Sequence, residues 1–185
     1  MRASHPIASS CLGFDLNTEN LKALTADGFE TTSSFERVER FNPQATSLFH
    51  VLEHLDDPVS VLSSLHETST PEAKLIVEVP HARDWLIHNG PDAFKEFTFW
   101  SEHLVLHTRT SLSHILEKSG WVVDYVYGVQ RYPVWNHFAW FQRESPTGLS
   151  QGPMGEPGHQ LADAYQAYLA ARDETDTLIA MAHKT

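Results

Sequence analysis

The sequence predicts an α/β fold built on a mostly parallel sheet, because strand-like and helix-like segments alternate along the chain. Three short apolar runs, Ser9–Leu16, Ala45–Phe49 and Lys74–Val79, are bounded by polar or turn residues and are typical of buried strands. Amphipathic segments lie between the runs, as crossover helices lie between parallel strands. The alternation therefore places the strands in one layer, with helices packed against it.

The stretch Gln44–Pro58 contains the clearest signals. The strand Ala45–Phe49 ends in an abrupt change of character at His50, and two acids and a proline follow. Asp57 is a good N-cap and Pro58 suits the first turn of a helix, so a helix is expected up to about residue 68. Ligands of open α/β sheets bind just beyond the carboxyl ends of the strands. A ligand loop is therefore expected directly after this strand.

Capping residues and apolar spacing predict the remaining elements. Asn17 and Thr18 can cap a helix that Gly28 stops, and Gly120 ends a helix that begins at Thr108. The other expected segments are a strand over 29–33, a loop with some helix over 36–43, a strand over 121–127, a helix over 161–171 and a last strand over 177–182. These elements account for most of the chain apart from two irregular regions.

Residues 80–107 and 130–160 have no clear period and are expected to be insertions on the substrate side of a single domain spanning residues 1–185. Long irregular connections in compact domains usually have a function. The first region is rich in histidine and too aromatic for a disordered segment. The second contains three glycines spaced three apart, but prolines interrupt them and no strand precedes them. They are therefore not expected to form a phosphate-binding loop.

Composition narrows the classes of function. The formal charge is −11 and no block of lysine and arginine occurs, so nucleic acid is not an expected partner. The single cysteine, Cys11, lies in an apolar run and is expected in the core, which leaves no intrachain disulfide. No signal-peptide core is visible, and no segment approaches the roughly 18 apolar residues of a membrane span. These features predict a soluble cytoplasmic protein with no membrane partner.

The letters HVLEH at 50–54 fit the H-x-x-E-H pattern of a class of zinc hydrolases. In that class two histidines one helical turn apart share the metal, which needs a continuous helix through both. Here a strand precedes the pattern, and Asp57, which stands before a proline, is biased away from helical geometry. A strand-end ligand loop without a metal is the better interpretation, and a zinc hydrolase is the less favoured alternative.

Five short motifs, taken in order, give the chain a resemblance to a known family. They are FDLN at 14–17, HVLEHLDDP at 50–58, KLIVEVP at 74–80, Glu102-His103 ahead of a helix start, and Gly120-Trp121. In this order they resemble a class I S-adenosylmethionine-dependent methyltransferase, of the broad group that acts on sugars, quinones and other small metabolites. The region after Gln130 is similar to the tail of bacterial members linked with glycan or cell-surface biosynthesis. The resemblance covers nearly the whole chain.

The resemblance implies a Rossmann-like methyltransferase sheet, mostly parallel with a reversed last strand, and S-adenosyl-L-methionine as the cofactor. Asp15, at the end of its strand, would accept hydrogen bonds from both ribose hydroxyls, and an ionised carboxylate is able to accept two donors. The same aspartate could instead only cap the following helix. The residues that the resemblance assigns to the cofactor are Asp15, Leu16, Asn17, His50, Val51, Leu52 and Glu53.

Residues of both irregular regions are expected to bind the methyl acceptor. Methyl transfer requires an aligned nucleophile and, where needed, removal of its proton. Glu102 and His103 are the preferred base candidates, since histidine titrates near neutral pH and Glu102 could orient or tune it. The expected substrate-binding residues are His54, Arg131, Tyr132, Asn136 and His137. Each of these side chains could instead serve in packing or at the surface. The acceptor is expected to be a small molecule.

The sequence departs from the family at the glycine-rich loop that follows the family's first strand, which has no counterpart here. The chain is therefore expected to lack the N-terminal strand and to start at the family's second strand, as a truncated methyltransferase. Unpaired strand edges invite association, so a homo-oligomer through an exposed sheet edge is a further expectation. The alternative function is a catalytically inactive methyltransferase-like module that binds a partner through that edge.

Overall fold

The computed structural model describes residues 8–146 and 155–185, except for the side chains of residues 155–159. Its strands are β1 (Leu12–Phe14), β2 (Glu30–Thr32), β3 (Ala45–Phe49), β4 (Lys74–Pro80), β5 (Val122–Val129) and β6 (Thr177–His183). Its helices are α1 (Thr18–Ala26), α2 (Phe35–Phe41), α3 (Pro58–Thr68), α4 (Trp85–Asn89), α5 (Asp92–Thr98), α6 (Arg109–Lys118), α7 (Val134–Arg143) and α8 (Gly155–Arg172). A 3₁₀ turn, Leu52–His54, lies between β3 and α3. None of the helices in the described ranges is long and apolar enough to cross a membrane.

The main sheet has the strand order β3-β4-β6-β5. β3 is parallel to β4, and α3 forms the crossover between them, whereas β6 is antiparallel to both of its neighbours, β4 and β5. The last strand of the chain thus enters the sheet between two earlier strands and runs against them. The predicted α/β fold with a reversed last strand is confirmed.

A second, smaller sheet is formed by β1 and β2, which are parallel and pair Leu12 with Glu30. The strand expected over 9–16 is only three residues long here, because β2 offers it three partners. Among the described residues this sheet is not hydrogen-bonded to the main one. Helix α2 connects the two, since the ring of Phe35 lies 6.1 Å from the ring of Phe14 and also packs against the main core. The expected truncation before β1 stays a prediction.

The main core lies between the sheet and helices α3 and α6. Strand β4 alternates strictly, so that Leu75, Val77 and Val79 are all fully buried. The helices contribute the buried side chains Leu62, Leu65, Leu112 and Leu116. Trp121 fills the end of the core, and its indole N–H donates to the backbone carbonyl of Leu62 at 3.0 Å. This packing holds β3 and β4 in place, and the site loops leave from their carboxyl ends.

The two irregular regions of the sequence contain helices that meet in a second apolar cluster. Leu86 of α4, Phe94 of α5 and Trp140 of α7 form its buried centre. Helices α4 and α5 have only 5 and 7 residues, too few for a period to be recognised in the sequence. Helix α7 buries Asn136 and His137 beside apolar residues, which obscures its hydrophobic pattern. The role of these regions as substrate-side insertions stays a prediction.

Caps at three helix starts agree with the sequence-based expectations. The Asn17 side chain accepts a hydrogen bond from the backbone N–H of Glu19 at 3.0 Å, and Asp57 accepts one from Ser60 at 3.0 Å. Thr108 begins α6 with a capping box. The glycines that follow α1 and α6 have φ angles of +88° and +91°, which glycine adopts without steric cost.

Two boundaries differ from expectation. Residues 36–43, expected as a loop with some helix, are mostly helical in α2, because Phe35 and Val38 pack against the main core. Helix α8 begins at Gly155, inside the region 130–160 that the sequence predicts to be irregular. Residues 147–154, including Gly152, lie outside the described residues.

Replacing the fully buried Leu112 by alanine is expected to lower the free energy of unfolding by about 2–5 kcal/mol, because the change leaves a cavity in the core. Leu161→Ala is the matched control, since Leu161 also lies in a helix but is 46% exposed. Urea unfolding followed by far-ultraviolet circular dichroism measures both variants. Equal midpoints for the two variants would contradict the packing assigned to α6.

Candidate active site

The candidate site lies where β3 and β4 end, at the carboxyl edge of the main sheet. The two strands are parallel and pair Phe49 with Glu78, so the residues that follow them emerge side by side. His50 has a φ angle of 52°, in the left-handed region, and this turns the chain out of the strand. Its backbone N–H still donates to the carbonyl of Glu78 at 2.9 Å. The loop after β3 is thereby attached to the end of β4.

The His50 side chain lies between two carboxylates. Its Nδ1 is 3.2 Å from Glu53 Oε1, and its Nε2 is 3.1 Å from Glu78 Oε1. Because ionised carboxylates only accept hydrogen bonds, both ring nitrogens act as donors when the ring is protonated. The hydrogen bond with Glu53 raises the pKa of His50, and this outweighs burial and the charge of Arg131, which lower it. His50 is therefore suited to be a cationic link between the strand ends, not a base.

Arg131 reaches the same carboxylates from the segment that follows β5. Its Nη1 lies 3.1 Å from Glu78 Oε1, and the guanidinium also contacts the His50 ring. With His50 protonated, two cationic groups face the two acids Glu53 and Glu78, so the four side chains carry no net charge together. The balance of charge allows the acids to lie close together in a partly buried position.

Asp176, just before β6, holds the Arg131 segment in place. Its buried carboxylate accepts hydrogen bonds from the backbone N–H groups of Arg131 at 2.9 Å and Tyr132 at 2.8 Å, and from Gln130 Nε2 at 2.8 Å. Gln130 in turn accepts from the backbone N–H of Asp176 at 3.2 Å. Burial raises the pKa of Asp176, and the hydrogen bonds from Arg131 and Tyr132 oppose that rise. Residues 130–132 are thus fixed beside the site.

His54 and His103 form a second histidine arrangement next to Glu53. Their ring centroids are 5.0 Å apart. The Nδ1 of His54 lies 2.7 Å from the carbonyl oxygen of Glu102, and the Nδ1 of His103 lies 2.7 Å from that of Thr98. Because a carbonyl oxygen only accepts, each Nδ1 carries the hydrogen, and each Nε2 of the neutral ring has a free lone pair. Glu102 takes part through its backbone, and its side chain is exposed.

Asp15 lies at the end of β1, in the smaller sheet. One carboxylate oxygen accepts from the backbone N–H of Asn17 at 2.8 Å, and the other accepts from the side chain of Asn20 at 2.8 Å. A carboxylate has about four acceptor positions, so capacity for two further donors remains. The neighbouring side chains Phe14 and Leu16 are 43% and 78% exposed. The end of β1 thus presents an acid between two apolar groups.

Four of the residues assigned to ligands from the sequence are buried, namely Leu52, Glu53, Asn136 and His137. Leu52 belongs to the main core. Asn136 and His137 are inside the packing of α7, where the His137 ring stacks on Trp85 at 5.7 Å and its Nδ1 lies 2.9 Å from the Tyr165 hydroxyl. The structure therefore brings together His50, Glu53, His54, His103 and Arg131, and does not bring Asn136 or His137 to that group. The binding roles of all these residues stay predictions.

Sequence reasoning did not single out Glu78 or Asp176, although both organise the site. Glu78 had a recognisable signal, because it is an acid near the carboxyl end of an otherwise apolar strand. Asp176 had none, because its partners Gln130, Arg131 and Tyr132 lie in a different part of the chain. Only the antiparallel insertion of β6 places them side by side.

Asp84 and His137 are buried titratable groups in the packing behind the site. Burial raises the pKa of Asp84 to about 7, although its carboxylate accepts a hydrogen bond from the backbone N–H of Leu86 at 2.8 Å. The nearby charge of Asp176 raises it further. Burial lowers the pKa of His137 to about 4. The two groups therefore affect stability in opposite directions as pH changes.

The chain belongs to the methyltransferase-domain family, whose model matches residues 1–126. Its fold is that of the class I S-adenosylmethionine-dependent methyltransferases, and S-adenosylmethionine is the cofactor of this family. The resemblance recognised in the sequence is thus confirmed at the level of family and fold. No curated protein matches the chain in sequence.

Solved structures share this fold at low sequence identity. An S-adenosylmethionine-dependent methyltransferase from Mesorhizobium loti is 16% identical, with a TM-score of 0.57, covering 99% of this chain and 84% of that one. One from Archaeoglobus fulgidus is 14% identical, with a TM-score of 0.57, covering 94% and 75%. A plantazolicin methyltransferase in complex with a substrate analogue and SAH is 11% identical, with a TM-score of 0.57, covering 95% and 68%. At these identities the likeness concerns the fold.

The described residues fit the nucleoside part of the cofactor. Asp15 has free acceptor capacity for hydroxyl donors. The exposed apolar side chains at the ends of β1 and β3 are Phe14, Leu16, Phe49 and Val51. These side chains suit contact with an aromatic base. Within the described ranges, no glycine-rich turn joins a strand to a helix.

The geometry assumed for a zinc hydrolase does not occur in residues 50–56. A continuous helix through His50 and His54 was required, but only the 3₁₀ turn Leu52–His54 is present. The His50 ring is directed to Glu53 and Glu78, whereas His54 donates to the Glu102 carbonyl. The two histidines therefore have different partners and do not share one ion in the manner of that class.

In the unmodified protein, Asp84 is expected to make the free energy of unfolding decrease as pH rises. Replacing Asp84 by asparagine is expected to abolish this decrease. The folded-state pKa of about 7 lies above the ordinary value of 3.8, so the folded protein holds a proton that the unfolded chain has lost in this window. The free energy of unfolding therefore falls as pH rises from 3.8 to about 7, by about 1.4 kcal/mol per unit of pKa difference. Asparagine keeps an acceptor for the Leu86 N–H and has no proton to lose. Urea unfolding at a series of pH values measures the effect.

The difference between the Asp84→Asn variant and the unmodified protein isolates this group, because the opposite contribution of His137 is common to both. Asp92→Asn is the control, since the Asp92 side chain is 90% exposed. Its stability curve should run parallel to that of the unmodified protein. A parallel curve for Asp84→Asn as well would contradict the raised pKa of Asp84.

Proposed function

We propose that this protein transfers a methyl group from S-adenosylmethionine to a small molecule, such as a sugar, a glycan precursor or a similar metabolite. The supporting observation is the convergence of three histidines and an arginine beside two acids, at the sheet edge where α/β proteins bind ligands. The cationic and imidazole side chains are His50, His54, His103 and Arg131. The bound cofactor supplies an electrophilic methyl group on a sulfonium centre.

In this proposal the end of β1 holds the nucleoside. Asp15 accepts hydrogen bonds from the two ribose hydroxyls, while Phe14 and Leu16 contact the base. Hydrogen bonds to a charged carboxylate contribute about 1.5–3 kcal/mol each, so Asp15 accounts for a large part of the affinity. Its hydrogen bonds from Asn17 and Asn20 hold the carboxylate in one orientation. His50 and Val51 contact the cofactor from the end of β3, because both side chains are accessible there.

The acceptor lies on the other side of that loop. Arg131 has more N–H donors than Glu78 uses, and its side chain is 40% exposed. A guanidinium with free donors suits a carboxylate, a phosphate or the hydroxyl oxygens of a sugar. Exposed rings near His103 offer surfaces for stacking on a sugar or another ring. These rings are Phe97, Phe99 and Trp100.

His103 serves as the general base in this proposal. The hydrogen bond of its Nδ1 to the Thr98 carbonyl directs the free lone pair to Nε2, the atom that would take the acceptor's proton. Glu102 orients the neighbouring His54 through its backbone carbonyl. His50 lies between Glu53 and Glu78, and its hydrogen bond with Glu53 raises its pKa and favours the cationic form.

A second candidate function is a catalytically inactive module that binds a partner protein through a sheet edge. Within the described residues, β3 has a strand neighbour on one side only, and so does β1. Such edges offer unpaired backbone groups to another strand. This function predicts no heat on titration with S-adenosylhomocysteine and a larger assembly at high protein concentration. Methyl transfer predicts the binding of one S-adenosylhomocysteine per chain.

Replacing Asp15 by alanine is expected to weaken the binding of S-adenosylhomocysteine by at least tenfold, because both ribose hydroxyls lose their acceptor. Isothermal titration calorimetry measures the dissociation constant. Asp15→Asn should have an intermediate effect, since an amide keeps one acceptor oxygen. Glu19→Gln is the control, as Glu19 is an exposed acid in the following helix that contacts Lys22. Unchanged affinity in Asp15→Ala would rule out the ribose role.

Replacing His103 by glutamine is expected to lower kcat by about 100-fold while leaving the affinity for S-adenosylhomocysteine within about twofold, because general-base catalysis typically contributes that much. The pH–rate profile should also lose the rise that accompanies deprotonation of an imidazole. His114→Gln is the matched control, since His114 is an exposed histidine of α6. Normal turnover of His103→Gln at all pH values would show that His103 is not the base.

A further inference from the structure

We propose that Glu53, His54 and His103 form a binding site for a divalent first-row transition-metal ion such as Zn²⁺. One ligand atom from each residue lies within 4.8 Å of the other two. Zinc holds nitrogen and oxygen ligands at about 2.0–2.2 Å, which places them roughly 3.5 Å apart in a tetrahedral site. Coordination therefore requires the ligand atoms to approach one another by up to about 1.3 Å. The site departs from the metal-free pocket that the sequence led us to expect.

Both imidazoles have the hydrogen-bond arrangement that is common among metal-bound histidines. The Nδ1 atoms of His54 and His103 are occupied by the carbonyl oxygens of Glu102 and Thr98, each at 2.7 Å. Metal-bound histidines generally donate their second ring N–H to such an acceptor, which fixes the ring and its tautomer. The lone pairs are thereby on the Nε2 atoms. The Nε2 of His54 lies 3.9 Å from Glu53 Oε1.

Glu53 contributes a buried carboxylate to the proposed site. Its side chain is 0% exposed, and its Oε2 has no hydrogen-bond partner among the described residues. A buried carboxylate oxygen without a partner costs free energy, which a coordinated cation would offset. His50 satisfies only the other oxygen, at 3.2 Å. That same Oε1 is the carboxylate oxygen that lies 3.9 Å from the Nε2 of His54.

The backbone holds the ligands together before any ion binds. The backbone carbonyl of Glu53 accepts a hydrogen bond from the N–H of Leu104 at 2.9 Å, which ties the 3₁₀ turn to the segment that carries His103. The N–H of His103 donates to the carbonyl of Trp100 at 3.0 Å and makes a tight turn there. Ligands from distant parts of the sequence are thus presented on two segments with a fixed relative position. Such preorganisation lowers the entropy cost of binding.

The donor set selects the class of ion. Two imidazole nitrogens and one carboxylate suit zinc and other first-row divalent ions, whereas magnesium and calcium prefer an all-oxygen set. Three protein ligands also leave at least one coordination position open, as in catalytic and not structural zinc sites. The His54 side chain is 33% exposed, so the open side faces solvent. A small molecule can therefore reach the ion.

The ion would define the acceptor class of the methyl transfer proposed above, and this part of the inference rests on that function. A hydroxyl oxygen of the acceptor at the open position has its pKa lowered by the cation. Its proton leaves to solvent, the oxygen forms the new bond to the methyl carbon, and the carbon–sulfur bond breaks with its electron pair retained by sulfur. With the ion bound, the Nε2 of His103 is a ligand, so the base role proposed above applies to the metal-free protein. The acceptor class is accordingly a hydroxyl compound.

The test is calorimetric titration of ZnCl₂ into the full chain after treatment with a chelator. One ion per chain is expected, with affinity at least tenfold weaker in His54→Gln and in His103→Gln. His114→Gln is the control for adventitious binding, because the chain has 12 histidines and His114 is exposed. Its affinity should equal that of the unmodified protein. Absence of binding, or equal affinity in all three variants, would overturn the site.

Cobalt gives a second measurement that does not depend on activity. Co²⁺ in a site with two imidazoles and a carboxylate should give visible d–d absorption that Zn²⁺ abolishes by competition and Mg²⁺ does not. Glu53→Gln should weaken this signal as well. Since Glu53 is buried and its replacement can impair folding, the two histidine variants decide the outcome. A spectrum unchanged in His54→Gln and His103→Gln would contradict the ligand set.

Titration of S-adenosylhomocysteine into the same preparation separates this inference from the proposed function. Binding of zinc without binding of S-adenosylhomocysteine would support the metal site and refute the methyltransferase function. Binding of S-adenosylhomocysteine without zinc would refute the metal site alone. If both bind, activity lost on chelation and restored by Zn²⁺ supports the role of the ion. Activity that the chelator does not change would indicate that His103 itself removes the proton.

Discussion

The site depends on a buried carboxylate, that of Glu53. A charge removed from water must be compensated, and the surrounding loops are arranged to do so. His50 donates to one oxygen of this carboxylate, and its ring continues to Glu78 at the end of β4. The backbone carbonyl of Glu53 receives the N–H of Leu104. One residue thereby connects the end of β3, the end of β4 and the aromatic segment before α6.

The three histidines near this carboxylate differ in their hydrogen-bond partners and therefore in the protonation state that is favoured. His50 has a carboxylate at each ring nitrogen and is favoured in its charged form. His54 and His103 each donate one N–H to a backbone carbonyl, so the neutral ring keeps a lone pair on Nε2. Identical side chains therefore differ in their chemistry: the cationic form of His50 is favoured, whereas His54 and His103 keep a basic nitrogen when they are neutral. Because the histidines differ in this way, one edge of the sheet can support both acid–base chemistry and the binding of an ion.

A buried polar network holds Arg131 in position. Asp176 receives two backbone N–H groups and the amide of Gln130, which fixes the segment that carries Arg131. The network is buried beside α7, where Gln130 Nε2 lies 3.3 Å from His137 Nε2, and the cost of burial appears in the raised pKa values of Asp84 and Asp176. Part of the stability contributed by the apolar clusters is therefore offset by buried acids that hold the site in shape.

The sequence by itself determined the local elements and the sheet class. The caps at Asn17 and Asp57, the strands β3 and β4 and the loop at His50 were all predictable, because they follow from interactions within a few residues. Only the tertiary structure decided which side chains meet. Arg131 and Glu78 are separated by 53 positions and come together because β6 runs antiparallel between β4 and β5. The environment of a titratable group depends on such distant partners, and a local pattern of residues does not contain them.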